Sequence, residues 1–225
     1  MRKVVLFDMD GVLYDSMPNH AIAWVRAMAS FGLHFTADDA YITEGARGVD
    51  TIRNCLKEQT GKVITEEEAL KMYGVKAERF AELPTAGVMP GAAELMEKIQ
   101  KGGLQIGVVT GSAQKPLIAR ILNDFPRFVD EGRIVTAFDV KHGKPDPEPY
   151  LIGMKKCGGY SPSETIVVEN APLGVKAGHA SGAFTIAVNT GPLPDSALLE
   201  QGADRLFPTM QALADGWEQL IAEIN

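Results

Sequence analysis

The sequence predicts an α/β fold in which a parallel β-sheet carries helices on both faces and an all-helical segment is inserted after the first strand. Three observations support this prediction. Short apolar runs alternate with helical stretches, which is the pattern of βαβ units. Each of these runs stops at glycine or polar residues, and the segment from residue 18 to about residue 83 shows only helical periodicity. With 45% hydrophobic residues in a chain of 225, there is enough apolar material for a buried core.

The predicted strands share one design, a fully apolar run with polar residues at its carboxyl end. The first is VVLF at residues 4–7, which is followed by Asp8-Met9-Asp10-Gly11. Later strands are predicted at 104–110, 165–168 and 184–189, and helices at 92–101, 116–123, 148–156 and 173–181. In open parallel sheets, ligands bind beyond the carboxyl ends of the strands. We therefore expect the functional site at that edge of the sheet.

The helical insert divides the chain into two predicted domains. Proline-containing segments at Pro18 and at residues 84–91 are plausible hinges on either side of it. We predict a core domain made of residues 1–16 and 88–225. Residues 17–87 would form a helical cap domain.

Composition and charge exclude several classes of function. The chain has 22 Lys plus Arg and 29 Asp plus Glu, and a net charge of −7 disfavours a nucleic-acid-binding protein, which needs a basic face. No apolar run approaches the roughly 18 residues that a membrane span requires. Asp8 and Asp10 interrupt the first apolar segment, where a signal peptide would need about 7 to 15 apolar residues. We expect a cytoplasmic protein that is a monomer, and the sequence contains no partner-binding motif. Cys55 and Cys157 fit neither a disulfide framework nor a zinc site.

Asp8 and Asp10 are the first candidates for chemistry. They lie two residues apart, so on an extended chain both carboxylates project to the same side. A solvated Asp-Gly turn is the alternative interpretation, but the position directly after an apolar strand favours a functional pair. An EF-hand loop is excluded by Val12 and Leu13, and no glycine-rich nucleotide-binding motif occurs.

Three further groups of polar residues follow predicted strands or a stiff loop. Thr110-Gly111-Ser112 offers hydroxyls and amides to phosphate oxygens. Lys144 stands in a segment with three nearby prolines, which would hold its ammonium against an anion. Glu169-Asn170 closes another strand. Ser112 and Asn170 could instead be helix N-caps.

Taken together, these segments resemble the motifs of the haloacid dehalogenase superfamily of phosphoryl-transfer enzymes. The matching segments are VVLFDMDGVLYDS, VVTGS, GKPDPEPY and VVENAPLGVKAGHASG. The helical insert resembles the cap of the β-phosphoglucomutase-like branch. The resemblance implies a Rossmann-like core, a helical cap, a Mg²⁺ ion and a small phosphorylated substrate.

The resemblance also implies a role for each motif residue. Asp8 would be the nucleophile and Asp10 the general acid and base. Mg²⁺ would be held by the Asp8 carboxylate, the backbone carbonyl of Asp10 and Asn170, with Glu169 nearby through water. Residues that hold the transferring oxygens would be Thr110, Ser112 and Lys144.

Cap residues should decide the substrate. His20 and Lys76 resemble positions that couple cap closure to the acid/base aspartate in β-phosphoglucomutase. Arg47 is a further candidate substrate-binding residue, in the segment Arg47-Gly48-Val49-Asp50-Thr51. Where the mutase carries an arginine that clamps the distal phosphate, this segment has Thr51, which cannot supply a cationic fork.

Two other departures from the mutase pattern point to a different substrate. Asn170 stands where most relatives have aspartate, which makes the site less negative, and Glu44 lies on the cap loop that should face the nucleophile. This pattern resembles an inorganic pyrophosphatase branch, with Glu44 completing the Mg²⁺ shell over a small substrate. Glu44 could instead point to solvent. The alternatives are β-phosphoglucomutase, a small sugar or polyol phosphatase, and a catalytically silent sensor, which the presence of Asp8, Asp10, Thr110 and Lys144 disfavours.

Overall fold

The structure, a computed structural model that describes residues 1–225, contains one six-stranded parallel sheet with the strand order β3-β2-β1-β4-β5-β6. Its strands are β1 (Val4–Phe7), β2 (Gln105–Val109), β3 (Ile134–Val135), β4 (Thr165–Glu169), β5 (Phe184–Val188) and β6 (Arg205–Phe207). The predicted parallel α/β fold, with helices on both faces of a Rossmann-like sheet, is confirmed. The two outermost strands, β3 and β6, were not among the predicted strands.

The helices fall into two groups along the chain. The insert contains α1 (Met17–Ser30), α2 (Ala37–Ile42), α3 (Gly48–Thr60) and α4 (Glu66–Ala81). The remainder flank the sheet: α5 (Ala92–Lys101), α6 (Lys115–Asp124), α7 (Glu148–Lys156), α8 (Pro172–Ala180), α9 (Asp195–Leu199) and α10 (Met210–Ile224). None of these helices combines the length and the apolar character that crossing a bilayer requires.

Strand β1 lies at the centre of the sheet and is buried on both faces. Val5 and Phe7 pack in the larger apolar cluster with residues of α5, α6 and α10, whereas Val4 and Leu6 pack in a second cluster with residues of α7 and α8. A strand that is covered on both faces needs no polar alternation, which explains its continuous apolar sequence. Because β1, β2 and β4 are adjacent and parallel, the residues after them meet at one edge.

The four helices of the insert form an apolar cluster of their own. Trp24 and Met28 of α1 share this cluster with Ile52 of α3 and Ala69 of α4. Helices α2 and α4 begin with capping boxes at Thr36 and Thr65. In each, the carboxylate three residues later accepts a hydrogen bond from the backbone N–H of the threonine. The helices thus form a compact layer, and the division into a core at 1–16 and 88–225 and a cap at 17–87 stays a prediction.

The loop between α2 and α3 lies directly on the carboxyl edge of the sheet. A Cβ atom placed on Gly111 would lie 2.7 Å from the carbonyl oxygen of Gly45. One placed on Gly143 would lie 2.6 Å from Cγ of Arg47. Both core loops therefore need glycine where the insert approaches, and the insert closes over the strand ends.

Candidate active site

Asp8 follows β1 and its carboxylate is buried. Lys144 Nζ donates to Asp8 Oδ1 at 2.5 Å, while Asp8 Oδ2 is buried without a hydrogen-bond partner. Burial raises the pKa of Asp8 well above its usual value, and the ammonium of Lys144 opposes this only in part because the carboxylates of Glu169 and Asp10 are also close. Asp8 is therefore a carboxylate that further positive charge would stabilise in its ionised form.

Asp10 lies in a different environment. Its Oδ1 accepts from Ser16 Oγ at 2.6 Å and lies 3.1 Å from His20 Nε2. Burial alone would raise the pKa of Asp10, but His20 and the Ser16 hydroxyl outweigh burial and lower it. The pKa values of Asp8 and Asp10 are thus shifted in opposite directions, as expected for a pair with different roles.

Lys76 extends this network into the insert. Its Nζ lies 2.6 Å from His20 Nδ1, and both side chains are buried. Burial lowers the pKa of Lys76 to about 8, although the carboxylates of Glu44 and Asp10 favour the charged form. The structure thus brings the predicted residues His20 and Lys76 to the predicted residue Asp10.

Lys144 is shared between two carboxylates. Besides Asp8, its Nζ donates to Glu169 Oε1 at 2.6 Å and to the carbonyl oxygen of Val109 at 3.0 Å. Tyr150 donates its hydroxyl to the same Glu169 oxygen at 2.6 Å. Tyr150 was not among the predicted site residues, and neither was Ser16, although both belong to the quoted motifs. For Tyr150, the available signal was its place on the first turn of the helix that follows the Lys144 loop.

Thr110 and Ser112 follow β2 and shape the loop beside Asp8. Thr110 Oγ1 accepts from the Ser112 amide at 3.0 Å, and Ser112 Oγ accepts from the Gln114 amide at 3.1 Å. Helix α6 begins at Lys115 with Gln114 as its N-cap, so Ser112 orders the loop rather than capping a helix. Asn170 is likewise not an N-cap, since Ala171 holds that position before α8.

A cavity of about 30 Å³ lies between the loops of the sheet edge and the insert. Its lining is mostly polar and comes from both groups of elements, namely Asp10, Gly111 and Ser112 together with His20, Trp24, Glu44, Ala46, Gly48, Tyr73 and Lys76. A water molecule needs about 10–15 Å³ by this kind of measure, so the cavity is about two waters in size.

Glu44 is a wall of this cavity rather than a side chain in open solvent. Burial raises the pKa of its carboxyl, with Asp10 acting in the same direction and His20 and Lys76 opposing it. Glu44 lines the cavity together with Asp10, and its charge is one of several that raise the pKa of Asp8.

Arg47, a predicted substrate-binding residue, does not line the small cavity. Its Nε and one terminal nitrogen donate to the two carboxylate oxygens of Asp50 at 2.8 and 3.1 Å, and its other terminal nitrogen lies 3.4 Å from Glu66. The guanidinium is therefore occupied within the insert. Thr51 is buried on α3 and lines, with Arg47 and Lys144, a larger open groove.

Two buried oxygen atoms fit the expected Mg²⁺ ion. Asp8 Oδ2 and Asn170 Oδ1 both lie buried without hydrogen-bond partners, and hard cations take such ligands. No three carboxylate, histidine or cysteine side chains meet in metal-binding geometry, so these residues would leave further positions to water or phosphate. Glu169, which was expected near the metal through water, accepts hydrogen bonds on both of its oxygens.

Comparison with known proteins agrees with this geometry. The sequence model of the haloacid dehalogenase-like hydrolase family matches residues 2–182 of this chain. The chain belongs to this family. Hexitol phosphatase A of Escherichia coli (strain K12) is 33% identical over 189 residues, covering 83% of this chain and 83% of that protein. Beta-phosphoglucomutase of Bacillus subtilis (strain 168) is 25% identical over 226 residues, covering 96% of each chain.

A solved structure from Bacteroides vulgatus, provisionally described as a beta-phosphoglucomutase, is similar to this haloacid dehalogenase-like hydrolase over its whole length. It is 49% identical with a TM-score of 0.95 and covers 100% of this chain and 90% of the other. This haloacid dehalogenase-like hydrolase is therefore an enzyme of phosphoryl transfer, of the phosphatase or phosphoglucomutase-like type.

Proposed function

We propose that the protein is a Mg²⁺-dependent inorganic pyrophosphatase that works through a phosphorylated Asp8. The observation that carries this proposal is the position of Glu44, whose buried carboxylate lines the small cavity at the sheet edge together with Asp10. Because charged and hydroxyl groups dominate its lining, this site suits a small, highly charged phosphate compound better than a phosphorylated sugar.

The substrate groups that a sugar bisphosphate would need are missing from this cavity. Thr51 replaces the arginine of the resembled mutase segment, and the nearby Arg47 guanidinium is held by Asp50 and Glu66. A neutral hydroxyl and an occupied guanidinium provide no bidentate clamp for a second phosphate on a sugar.

The state of Asp10 also favours a phosphate leaving group. Since His20 and Ser16 lower its pKa, the carboxylate is ionised in this closed form and is ready to act as a base. A sugar alkoxide needs a proton in order to leave, whereas orthophosphate is a stable anion near neutral pH. Pyrophosphate therefore depends less on the acid form of Asp10.

The proposed reaction has two steps. Asp8 attacks one phosphorus atom of pyrophosphate, the bridging P–O bond breaks, and orthophosphate leaves as an anion. Asp10 then takes a proton from water, the water oxygen attacks the phosphorus, and the Asp8 O–P bond breaks to release the second orthophosphate. Lys144, which contacts Asp8, would bind the transferring oxygens together with Thr110 and Ser112. Bound at Asp8 and Asn170, Mg²⁺ would supply positive charge that offsets the repulsion between carboxylate and substrate.

The domain division and the location of the protein belong to the same proposal. Residues 17–87 would act as a cap that opens over the core to admit pyrophosphate, with hinges near residues 16–18 and 84–91. We propose that the enzyme works as a monomer in the cytoplasm. Size-exclusion chromatography with light scattering tests the monomer, and the mass of a dimer would contradict it.

β-Phosphoglucomutase is the second candidate, and the contact between His20 and Asp10 favours it. That contact matches the resembled mutase arrangement, and the Bacillus subtilis relative carries that name. Small sugar-phosphate phosphatase activity comes third, on the strength of the hexitol phosphatase relative.

A substrate comparison tests the proposal. Purified enzyme with Mg²⁺ is assayed against pyrophosphate, β-glucose 1-phosphate, several hexitol phosphates and an aryl phosphate, recording both phosphate release and glucose 6-phosphate formation. We expect the highest kcat/KM for pyrophosphate. Formation of glucose 6-phosphate at higher kcat/KM would establish the mutase instead.

A further inference from the structure

We propose that Tyr150 is a positioning residue for phosphoryl transfer, whose hydroxyl fixes Glu169 so that Glu169 can fix the ammonium of Lys144 beside Asp8. The inference rests on the nucleophilic role of Asp8 proposed above. It does not depend on whether pyrophosphate or another phosphate compound is the best substrate.

The contacts of Glu169 show how its carboxylate is held. Tyr150 and Glu169 are both completely buried, and the Tyr150 hydroxyl donates to Glu169 Oε1 at 2.6 Å. Burial and the neighbouring carboxylates raise the pKa of Tyr150 well above its usual value, so the hydroxyl keeps its proton. The Asn170 amide donates to the other oxygen at 3.0 Å. A Cβ on Gly174 would overlap the carboxylate, which shows how tightly the start of α8 encloses it.

Lys144 has no free donor in this arrangement. An ammonium has three N–H groups, and those of Lys144 are taken by Asp8, Glu169 and the Val109 carbonyl. To reach a phosphoryl oxygen, Lys144 must release one of these partners. When Asp8 bonds to phosphorus, negative charge passes from its carboxylate to the phosphoryl oxygens. The Lys144 ammonium can then move a short distance from Asp8 toward the phosphoryl oxygens while it keeps its hydrogen bond to Glu169.

The hydroxyl of Tyr150 determines how strongly Glu169 retains the ammonium. Oxygen Oε1 of Glu169 has two donors, Tyr150 and Lys144. Without the hydroxyl, Lys144 would be its only donor, so the ammonium would be drawn toward Glu169 and away from the transferring group. Tyr150 does not line the small cavity, and its loss should therefore affect the chemical step more than substrate binding.

The Tyr150→Phe variant tests the inference because it removes only the hydroxyl. We expect kcat to fall roughly tenfold or more, the usual effect of losing a hydrogen bond to a charged group, with KM changed by less than about twofold. The loss should be equal for pyrophosphate and for an aryl phosphate, since Lys144 serves the transferring group that both share. The control is Tyr160→Phe, a partly buried tyrosine against the same apolar cluster, and it should leave kcat unchanged.

A double-mutant cycle separates positioning from general loss of stability. In a Glu169→Gln background the hydroxyl has no carboxylate to hold, so adding Tyr150→Phe should change kcat by less than about twofold. An unchanged kcat in Tyr150→Phe would overturn the inference, as would unequal losses for the two substrates or equal losses in both backgrounds. If the wild type turns over aryl phosphate but not pyrophosphate, the proposed substrate fails while the result for Tyr150 still stands.

Discussion

The ammonium of Lys76 lies 2.6 Å from Nδ1 of His20. An ammonium can only donate, so Nδ1 is the acceptor, and a neutral ring then carries its proton on Nε2. That nitrogen lies 3.1 Å from Asp10 Oδ1, and the proton is directed at the carboxylate. A buried amine on α4 therefore sets the tautomer of a histidine on α1, which in turn contacts Asp10, the proposed acid and base.

Burial of this amine predicts a pH-dependent cost to stability. The pKa of Lys76 is lowered to about 8 in the folded protein from an ordinary 10.5. Below pH 8 the Lys76 amine is charged in both the folded and the unfolded state. The folded state then carries the full free-energy cost of burying that charge. Between about pH 8 and 10.5 the unfolded state binds more protons, so wild-type stability rises with pH relative to a variant without the amine. We expect the free energy of unfolding of Lys76→Met minus that of wild type to fall by about 3 kcal/mol across this interval.

Chemical denaturation at a series of pH values measures this difference. Lys71→Met is the control, because Lys71 lies on the same helix with a side chain that is 73% exposed. Its difference from wild type should stay constant with pH. A constant difference for Lys76→Met as well would show that the folded protein does not disfavour the charged amine.

Gly11 should be essential for the position of Asn170. At Gly11 φ is +83°, and a Cβ atom there would lie 1.9 Å from Asn170 Nδ2. Gly32 has a similar φ of +73° with no atom within 4 Å of such a Cβ. Both alanine variants should lose about 1 kcal/mol of stability from the backbone strain. Only Gly11→Ala should also displace Asn170, and so weaken Mg²⁺ binding measured by isothermal titration calorimetry. Equal Mg²⁺ affinity in the two variants would show that Asn170 is not a ligand of the proposed metal site.

Glu44 should matter for pyrophosphate more than for other phosphate compounds. The Glu44→Gln variant removes the carboxylate charge from the cavity wall while keeping the side-chain shape. We expect kcat/KM for pyrophosphate to fall roughly 10- to 100-fold, the range typical of groups that support a metal site, and to fall much less for an aryl phosphate. Glu58→Gln, an exposed position on α3, is the matched control. Equal losses for both substrates in Glu44→Gln would argue against a role in substrate choice.

Much of the fold could be predicted because its central strands have a strong local signal. The run at 4–7 coincides with β1, and the run at 184–189 differs from β5 by one residue. Strands β3 and β6 have only two and three residues. At the edges of the sheet, such short segments show no periodicity, and their pairing with neighbours decides that they are strands. Helix α10 also lay outside the predicted elements.

The site was predictable to the extent that its residues follow central strands. Asp8, Thr110 and Glu169 come together because β1, β2 and β4 are adjacent and parallel, so the residues after them meet at the edge where the site was expected. The partner choices depend on tertiary packing instead. Only the approach of α7 to β4 brings Tyr150 to Glu169. Arg47 pairs with Asp50 one helical turn away, and a sequence pattern cannot show that this pair forms in preference to contact with a substrate.

The central claim is that Asp8 becomes phosphorylated while pyrophosphate is hydrolysed. Enzyme and Mg²⁺ are mixed with pyrophosphate, quenched in acid after milliseconds, reduced with borohydride and digested, so that an aspartyl phosphate is converted to homoserine and located by mass spectrometry. We predict homoserine at position 8, appearing at least as fast as kcat, and none at Asp10 or Asp15. Rapid release of orthophosphate without homoserine at position 8 would contradict the account.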